Sequence, residues 1–93
     1  MIIGTLQLKL HFPEPQSLKE KRSILKSVLA RLRGEFNAGV CELDGMDLWQ
    51  FSMIAAVCVG KDKKEVELVL DQMIKFLDHE AHLRVVGHQK ELL

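Results

Sequence analysis

The sequence predicts an α+β fold whose elements follow the order β-α-β-β-α-β. The chain opens with alternating apolar and polar residues, which is typical of a half-buried strand. Two later stretches repeat apolar residues at helical spacing, and each follows a strand-like segment. A turn signal at Asp44 and Gly45 separates two further strand-like runs between the helices. We therefore expect a four-stranded antiparallel sheet of order 4-1-3-2, with two helices on one face and the other face open.

The first strand and the first helix have clear boundary signals. The alternating segment runs from Ile2 to Phe12 and is followed by two prolines. Ser17 and Glu20 then form a capping box, so the helix is expected to begin at Leu18. The apolar faces comprise Leu6, Leu8, Leu10 and Phe12 on the strand, and Leu18, Ile24, Leu25, Val28, Leu29, Leu32 and Phe36 on the helix.

The second half of the chain supplies the other four elements. We expect strands over Val40–Leu43 and Leu48–Val59, a helix after the N-cap Asp62, and a final strand within Leu83–Leu92. The third strand carries two sets of residues on opposite faces, and the pattern does not decide which set is buried. One set is Trp49, Phe51 and Met53, and the other is Gln50, Ser52, Ile54, Ala56 and Cys58.

Length and composition are those of an ordinary globular protein. The 93 residues, 47% hydrophobic and 28% charged, fit one domain spanning residues 1–93. The longest uncharged apolar stretch, Leu48–Gly60, is too short to cross a bilayer as a helix, and no secretion signal is visible. We expect a cytoplasmic protein without membrane contact. The glycines match no phosphate-binding loop, so no cofactor is expected.

The two cysteines are expected to be free thiols. A hairpin centred on residues 44–47 would place Cys41 near Gln50, on the order of 25 Å from Cys58 along the strand. That separation is too long for a disulfide.

The first helix carries a basic ridge, defined here as Lys19, Arg22, Lys26 and Arg33. These four side chains project within about 60° of one another on a helical wheel. Residues 1–40 hold seven Lys/Arg and three Asp/Glu, whereas residues 41–93 hold six and ten. The ridge could neutralise phosphates along a nucleic acid, or it could be an ordinary solvated helix face.

Lys21 lies on the apolar side of the same helix. Because it is close to the helix start, we expect its side chain to snorkel past the core edge. The alternative is that it reaches a partner carboxylate or the rim of the open sheet. We include it among the candidate nucleic-acid-binding residues.

The hairpin segment concentrates polar groups around the only tryptophan. Glu42, Asp44 and Asp47 could together hold a hard cation, although turn formation is the simpler role. Trp49 and Gln50 are candidate base or partner contacts.

Two segments resemble the YlxP-like family of small bacterial proteins. They are Ser17-Leu18-Lys19-Glu20-Lys21-Arg22, and Asp44 with Asp47-Leu48-Trp49-Gln50, and the resemblance covers essentially the whole chain. It implies a ferredoxin-like fold and no established activity. Members are commonly encoded beside translation-initiation, transcription-elongation and ribosome-maturation factors, which implies an RNA or ribosome-associated role. This chain has Phe51 where relatives often carry arginine, so the resemblance does not imply a nucleic-acid contact from that strand.

Three functional hypotheses follow. The leading one is a non-catalytic accessory protein associated with RNA or a ribosomal particle, binding through the basic ridge. Sequence-specific recognition is not expected, because neither an aromatic RNA-recognition signature nor a paired-glycine clamp is present. The second is an interaction module or homodimer formed through the open sheet face, with Thr5, Gln7, Phe51 and Met53 at the interface. The third is a metal-dependent enzyme using Asp44 and Asp47.

Overall fold

The computed structural model describes residues 1–93 and contains the six elements in the expected order. The strands are β1 (Ile2–His11), β2 (Gly39–Asp44), β3 (Phe51–Gly60) and β4 (Arg84–Leu92), and the helices are α1 (Leu18–Glu35) and α2 (Lys63–Asp78).

The four strands form one antiparallel sheet in the order β2-β3-β1-β4. This is the predicted order 4-1-3-2 counted from the opposite edge, so the fold prediction is confirmed. In the centre of the sheet, Leu8 lies opposite Ile54 on β3 and His88 on β4. β2 and β4 are the edge strands.

The core lies between the two helices and one face of the sheet. Sixteen buried hydrophobic residues form one cluster, including the four predicted on β1 and four on α2, which are Val66, Leu70, Met73 and Leu77. Phe36 after α1 packs edge-on against Phe76 of α2, with ring centroids 5.8 Å apart. Burial of these apolar side chains provides the main driving force for the fold.

Both helix starts have the predicted N-caps. The Ser17 hydroxyl accepts a hydrogen bond from the backbone N–H of Glu20, and the Asp62 carboxylate accepts one from the N–H of Glu65. These bonds satisfy donors that have no partner within the helix. Neither helix is long and apolar enough to cross a membrane.

The predicted start of β3 is wrong. The strand begins at Phe51, so Leu48–Gln50 belongs to the hairpin loop. The pairing of β2 with β3 therefore also differs from the prediction, and Cys41 lies opposite Ala55 instead of Gln50. The two cysteines are therefore nearer than the predicted 25 Å, about three strand positions or 10 Å apart along the sheet. No disulfide joins them, and Cys41 is exposed whereas Cys58 is buried.

The structure also decides which face of β3 is buried. Ser52, Ile54, Ala56 and Cys58 face the core, whereas Phe51 and Met53 are partly buried on the open face. Trp49 does not share that face as a strand residue, because it lies in the loop.

Candidate functional site

Lys21 is the centre of a buried polar network that joins α1 to the β2–β3 hairpin. Its side chain is fully buried, and Nζ lies 3.0 Å from Oε2 of Glu42 and 2.9 Å from the carbonyl oxygen of Gly45. The same Glu42 oxygen accepts a 2.7 Å hydrogen bond from the buried hydroxyl of Ser52. The ammonium also lies 5.9 Å from the centroid of the Phe12 ring, within the range of a cation–π contact.

The expectation that Lys21 snorkels into solvent is therefore wrong. Its ammonium has a carboxylate and a carbonyl within hydrogen-bonding distance, so it can remain inside the protein as a charged group. The structure instead shows the other expected arrangement, in which Lys21 reaches a carboxylate, that of Glu42. Because no part of the side chain is exposed, Lys21 is not available to contact a phosphate.

The network determines where the hairpin loop lies. Gly45 has φ of 87°, a left-handed conformation that favours glycine, and its carbonyl accepts bonds from Lys21 and from the N–H of Leu48. The guanidinium of Arg22 donates to the next carbonyl, that of Met46, over 3.2 Å. The first segment that resembles the YlxP-like family is thus in direct contact with Gly45 and Met46, which lie between the residues of the second segment.

The loop presents apolar side chains to solvent. The residues involved are Met46, Leu48 and Trp49, which are between 38% and 53% exposed, and Leu43 near the end of β2 is also exposed. Gln50 is also exposed, and its carbonyl accepts a bond from the N–H of Phe12, so the loop is anchored to the end of β1. Trp49 and Gln50 are therefore exposed on the surface of the loop.

The three hairpin carboxylates do not converge on a common point. Glu42 is bonded to Lys21 and Ser52, and Asp44 accepts the N–H of Gly45. No group of three potential metal-ligating side chains is gathered anywhere in the chain. The structure therefore gives no support for a cation held jointly by Glu42, Asp44 and Asp47.

The basic ridge lies on the exposed side of α1, beside the edge strand β2. All four of its side chains are exposed, and three of them have no carboxylate within 4 Å. Arg22 is 3.9 Å from Glu42, whose other oxygen is already paired with Lys21. Arg33 donates to the carbonyl of Val40, which leaves its positive charge without a counterion.

A shallow groove of about 330 Å³ separates the ridge from β2. Arg22, Lys26 and Arg33 line one side, the buried Leu25 and Leu29 lie beneath them, and Glu42 closes one end. Lys19 lies outside the groove. The structure thus keeps the four predicted ridge residues on one surface, with three of them around a common groove.

The open sheet face has an apolar half on β3 and a basic half formed by Lys9, His11 and Arg84. Phe51, Met53 and Ala55 on β3 form the apolar half, and the exposed Val57 and Val59 continue it. On β1, Thr5, Gln7, Lys9 and His11 form the centre of this face. The four residues predicted to form an interface, Thr5, Gln7, Phe51 and Met53, therefore lie on one surface.

Sequence reasoning missed the contribution of β4 to this face. Arg84 lies opposite His11, Gly87 opposite Lys9, and Gln89 opposite Gln7. None of Lys9, His11 and Arg84 has a carboxylate within 4 Å. The alternation of β1 indicated that Lys9 and His11 share a face, but the partners on β4 depend on a strand register that the sequence does not reveal.

A cleft of about 240 Å³ opens on this basic half. Gln7, Lys9, Met53, Val86, Gly87, His88 and Gln89 line it. It exists because Gly87 has no side chain and because Val86 is an extra residue in β4, where the pairing with β1 shifts between Lys9 and Leu10.

One titratable group is perturbed, and it lies in the core. Desolvation by burial raises the pKa of the Cys58 thiol above its ordinary value. A thiol that is held neutral is a poor nucleophile, so we assign Cys58 a packing role in the core. Cys41 is the thiol that is accessible to solvent.

Comparison with known proteins places the chain in a family. A family model described as "Protein of unknown function (DUF503)" matches residues 3–90. The chain is similar to the uncharacterized protein YlxP of Bacillus subtilis (strain 168), at 30% identity over 77 residues that cover 83% of this chain and 84% of that protein. The resemblance to the YlxP-like family is thereby confirmed, and the chain belongs to the DUF503 family.

Proposed function

We propose that this protein is a non-catalytic accessory protein of the cytoplasm that associates with structured RNA, such as that of a ribosomal particle. In this proposal the basic ridge contacts the phosphates. The observation that carries it is that Lys19, Lys26 and Arg33 are exposed and have no carboxylate within 4 Å. Cations without intramolecular partners are available to replace the counterions of a polyanion.

Pairing of Glu42 with Lys21 limits how far Glu42 reduces the positive charge of the basic ridge. Glu42 is the only acidic residue lining the groove beside the ridge, and its carboxylate is paired with the buried ammonium of Lys21. The positive charges of the exposed ridge are therefore not cancelled by Glu42. Lys19 and Arg33 are 14 residues apart, so the ridge extends for about 21 Å along α1, long enough to contact several phosphates.

The hairpin loop is positioned to add contacts at one end of the ridge. Arg22 belongs to the ridge and also binds the Met46 carbonyl, so the exposed loop lies beside the cationic surface. Trp49 and Gln50 on that loop offer a ring for stacking and an amide for hydrogen bonding.

The test compares two variants that carry the same change of charge. Lys19→Glu with Lys26→Glu alters the ridge, and Lys63→Glu with Lys64→Glu alters exposed positions on α2. Binding to a ribosomal RNA fragment is measured at several salt concentrations. We expect the wild type and the α2 variant to bind with similar salt dependence, and the ridge variant to bind more weakly, with a log–log salt slope lower by about 2.

Equal loss of binding in the two variants would mean that only total charge matters. Absence of RNA binding by the folded wild type at low salt would reject the proposal. Circular dichroism of all three proteins establishes that each is folded.

A second candidate function is self-association through the apolar half of the open face. It is favoured by the strip of apolar side chains on β3, where Val57 and Val59 are 42% and 60% exposed. Light scattering during size exclusion tests it. A dimer that Val57→Lys converts to a monomer supports this function, and a monomer at high concentration rejects it.

A further inference from the structure

We propose that the cleft over Gly87 on the open sheet face binds an unpaired nucleobase of single-stranded RNA. This inference rests on the proposed RNA association but assigns a second, separate surface to it. The basic ridge lies on α1, on the opposite side of the sheet, so the two surfaces are altered by different substitutions.

The first argument concerns Gly87 itself. Its backbone has no left-handed conformation, and a Cβ added there would lie 3.7 Å from Cδ of Lys9, an ordinary contact. Neither backbone conformation nor packing therefore requires glycine, although glycine weakens a strand. What its missing side chain does provide is a flat, open place on the sheet.

The second argument concerns the groups around that place. Gln7 and Gln89 lie directly opposite each other on neighbouring strands and supply two amides, which match the donors and acceptors on the edge of a base. Met53 and Val86 supply apolar walls. The volume, about 240 Å³, is below the range of about 300–1,000 Å³ typical of enclosed small-molecule sites, so a flat group lying on the sheet suits it better.

The third argument is charge complementarity. Lys9 lines the cleft, and His11 and Arg84 lie next to it along the same face, all without a carboxylate within 4 Å. Phe51 lies opposite His11 and offers a partly exposed ring to a neighbouring base. Four-stranded sheets that bind RNA stack bases on aromatic rings of the open face, and Phe51 is the ring that this face offers.

The same charges argue against a second copy of this chain as the occupant. A dimer formed by stacking the basic halves would bring two cationic side chains from each copy, Lys9 and Arg84, into the interface. The carboxylates at register positions of this face are Glu91, at its far end opposite Thr5, and Asp44, opposite Met53 on the edge strand β2 and two strands away from Lys9. Desolvating like charges without partners opposes such a dimer.

The experiment uses two matched glycine substitutions. Gly87→Val fills the cleft without changing charge, and Gly39→Val adds the same side chain on the same face at the opposite edge strand, where nothing lies within 4 Å. The probes are a fluorescein-labelled single-stranded RNA of ten uridines or ten adenosines and a blunt-ended RNA duplex of the same charge, which has no unpaired base. Fluorescence anisotropy gives the affinities.

We expect Gly87→Val to weaken single-strand binding about fivefold, the effect of losing about one hydrogen bond between the base and the amides of the cleft. It should leave duplex binding unchanged, and Gly39→Val should leave both unchanged. Wild-type affinity of Gly87→Val for both single strands would overturn the proposal, and so would self-association that Gly87→Val abolishes.

The outcomes also separate this proposal from the ridge. If the ridge variant no longer binds the duplex while Gly87→Val keeps every affinity, the cleft proposal fails and the ridge proposal remains. If Gly87→Val no longer binds the single strands while the ridge variant still binds the duplex, the cleft proposal is supported and the ridge proposal fails.

Discussion

Replacement of Lys21 by methionine tests whether the buried network holds the hairpin in place. Methionine is about as long as lysine and apolar, so the change removes the charge and both hydrogen bonds with little loss of volume. The Glu42 carboxylate would then remain 12% exposed without its closest cation, and the Gly45 carbonyl would lose a buried donor.

The expected destabilisation follows from these two losses. Removal of one partner of a buried ion pair costs about 3–5 kcal/mol. The slight exposure of Glu42, its bond from Ser52 and the Arg22 guanidinium at 3.9 Å reduce the cost here. We expect the free energy of unfolding to fall by about 2–4 kcal/mol, which for a protein of this size lowers Tm by on the order of 10–30 °C.

Urea unfolding followed by two probes measures both the global and the local effect. Circular dichroism reports the helices, and the fluorescence of Trp49, the only tryptophan, reports the hairpin loop. In Lys21→Met we expect the emission of Trp49 to shift to the red before the helices unfold. Lys19→Met, an exposed position on the same helix, should change the free energy of unfolding by no more than about 0.5 kcal/mol.

A double variant separates the charge from the shape of the side chain. Adding Glu42→Gln to Lys21→Met removes the unpaired carboxylate and leaves an acceptor for the Ser52 hydroxyl. We expect it to recover at least about 1 kcal/mol, because the single variant suffers mainly from an uncompensated charge. The reasoning would be refuted if Lys21→Met were as stable as Lys19→Met, or if the double variant were no more stable than the single one.

Three further predictions concern the thiols and the hairpin turn. A thiol reagent at mildly alkaline pH should modify Cys41 rapidly and Cys58 only when the protein unfolds, and equal rates would contradict the burial of Cys58. Burial raises the pKa of Cys58, so above about pH 8.5 the folded protein keeps a thiol proton that the unfolded chain loses. The free energy of unfolding, measured by urea titration, should therefore fall as the pH rises above this value. Cys58→Ala should remove that fall. Gly45→Ala should lower the free energy of unfolding by at least about 1 kcal/mol in the same assay. The reason is that Gly45 has a positive φ and that the new Cβ would lie 2.9 Å from the carbonyl oxygen of Phe51. Unchanged stability would mean that the turn relaxes to accommodate alanine.

The elements with strong local patterns were predicted well. The alternation of β1 and the caps at Ser17 and Asp62 depend on neighbouring residues only, and the structure confirms each of them. Strand order followed from element order and the usual handedness of crossovers. These features are local or topological, so one sequence is enough to predict them.

The errors lie where distant residues determine the local structure. Leu48–Gln50 reads as the start of a strand, but the left-handed turn at Gly45 and its bond from Lys21 keep these residues in a loop. The helical wheel placed Lys21 among apolar residues without showing that Glu42, on a later strand, would pair with it. The final strand had only a weak pattern because the extra residue Val86 interrupts its alternation.

The position of Lys21 changes how the motif around it is interpreted. Lys21 and Arg22 are adjacent, yet one is fully buried and the other is 51% exposed at the side chain. The buried residue fixes the loop, and its neighbour both binds that loop and adds charge to the surface. A substitution of Lys21 that weakened RNA binding would therefore act through the position of the loop, and only substitutions on the exposed surfaces test direct contact.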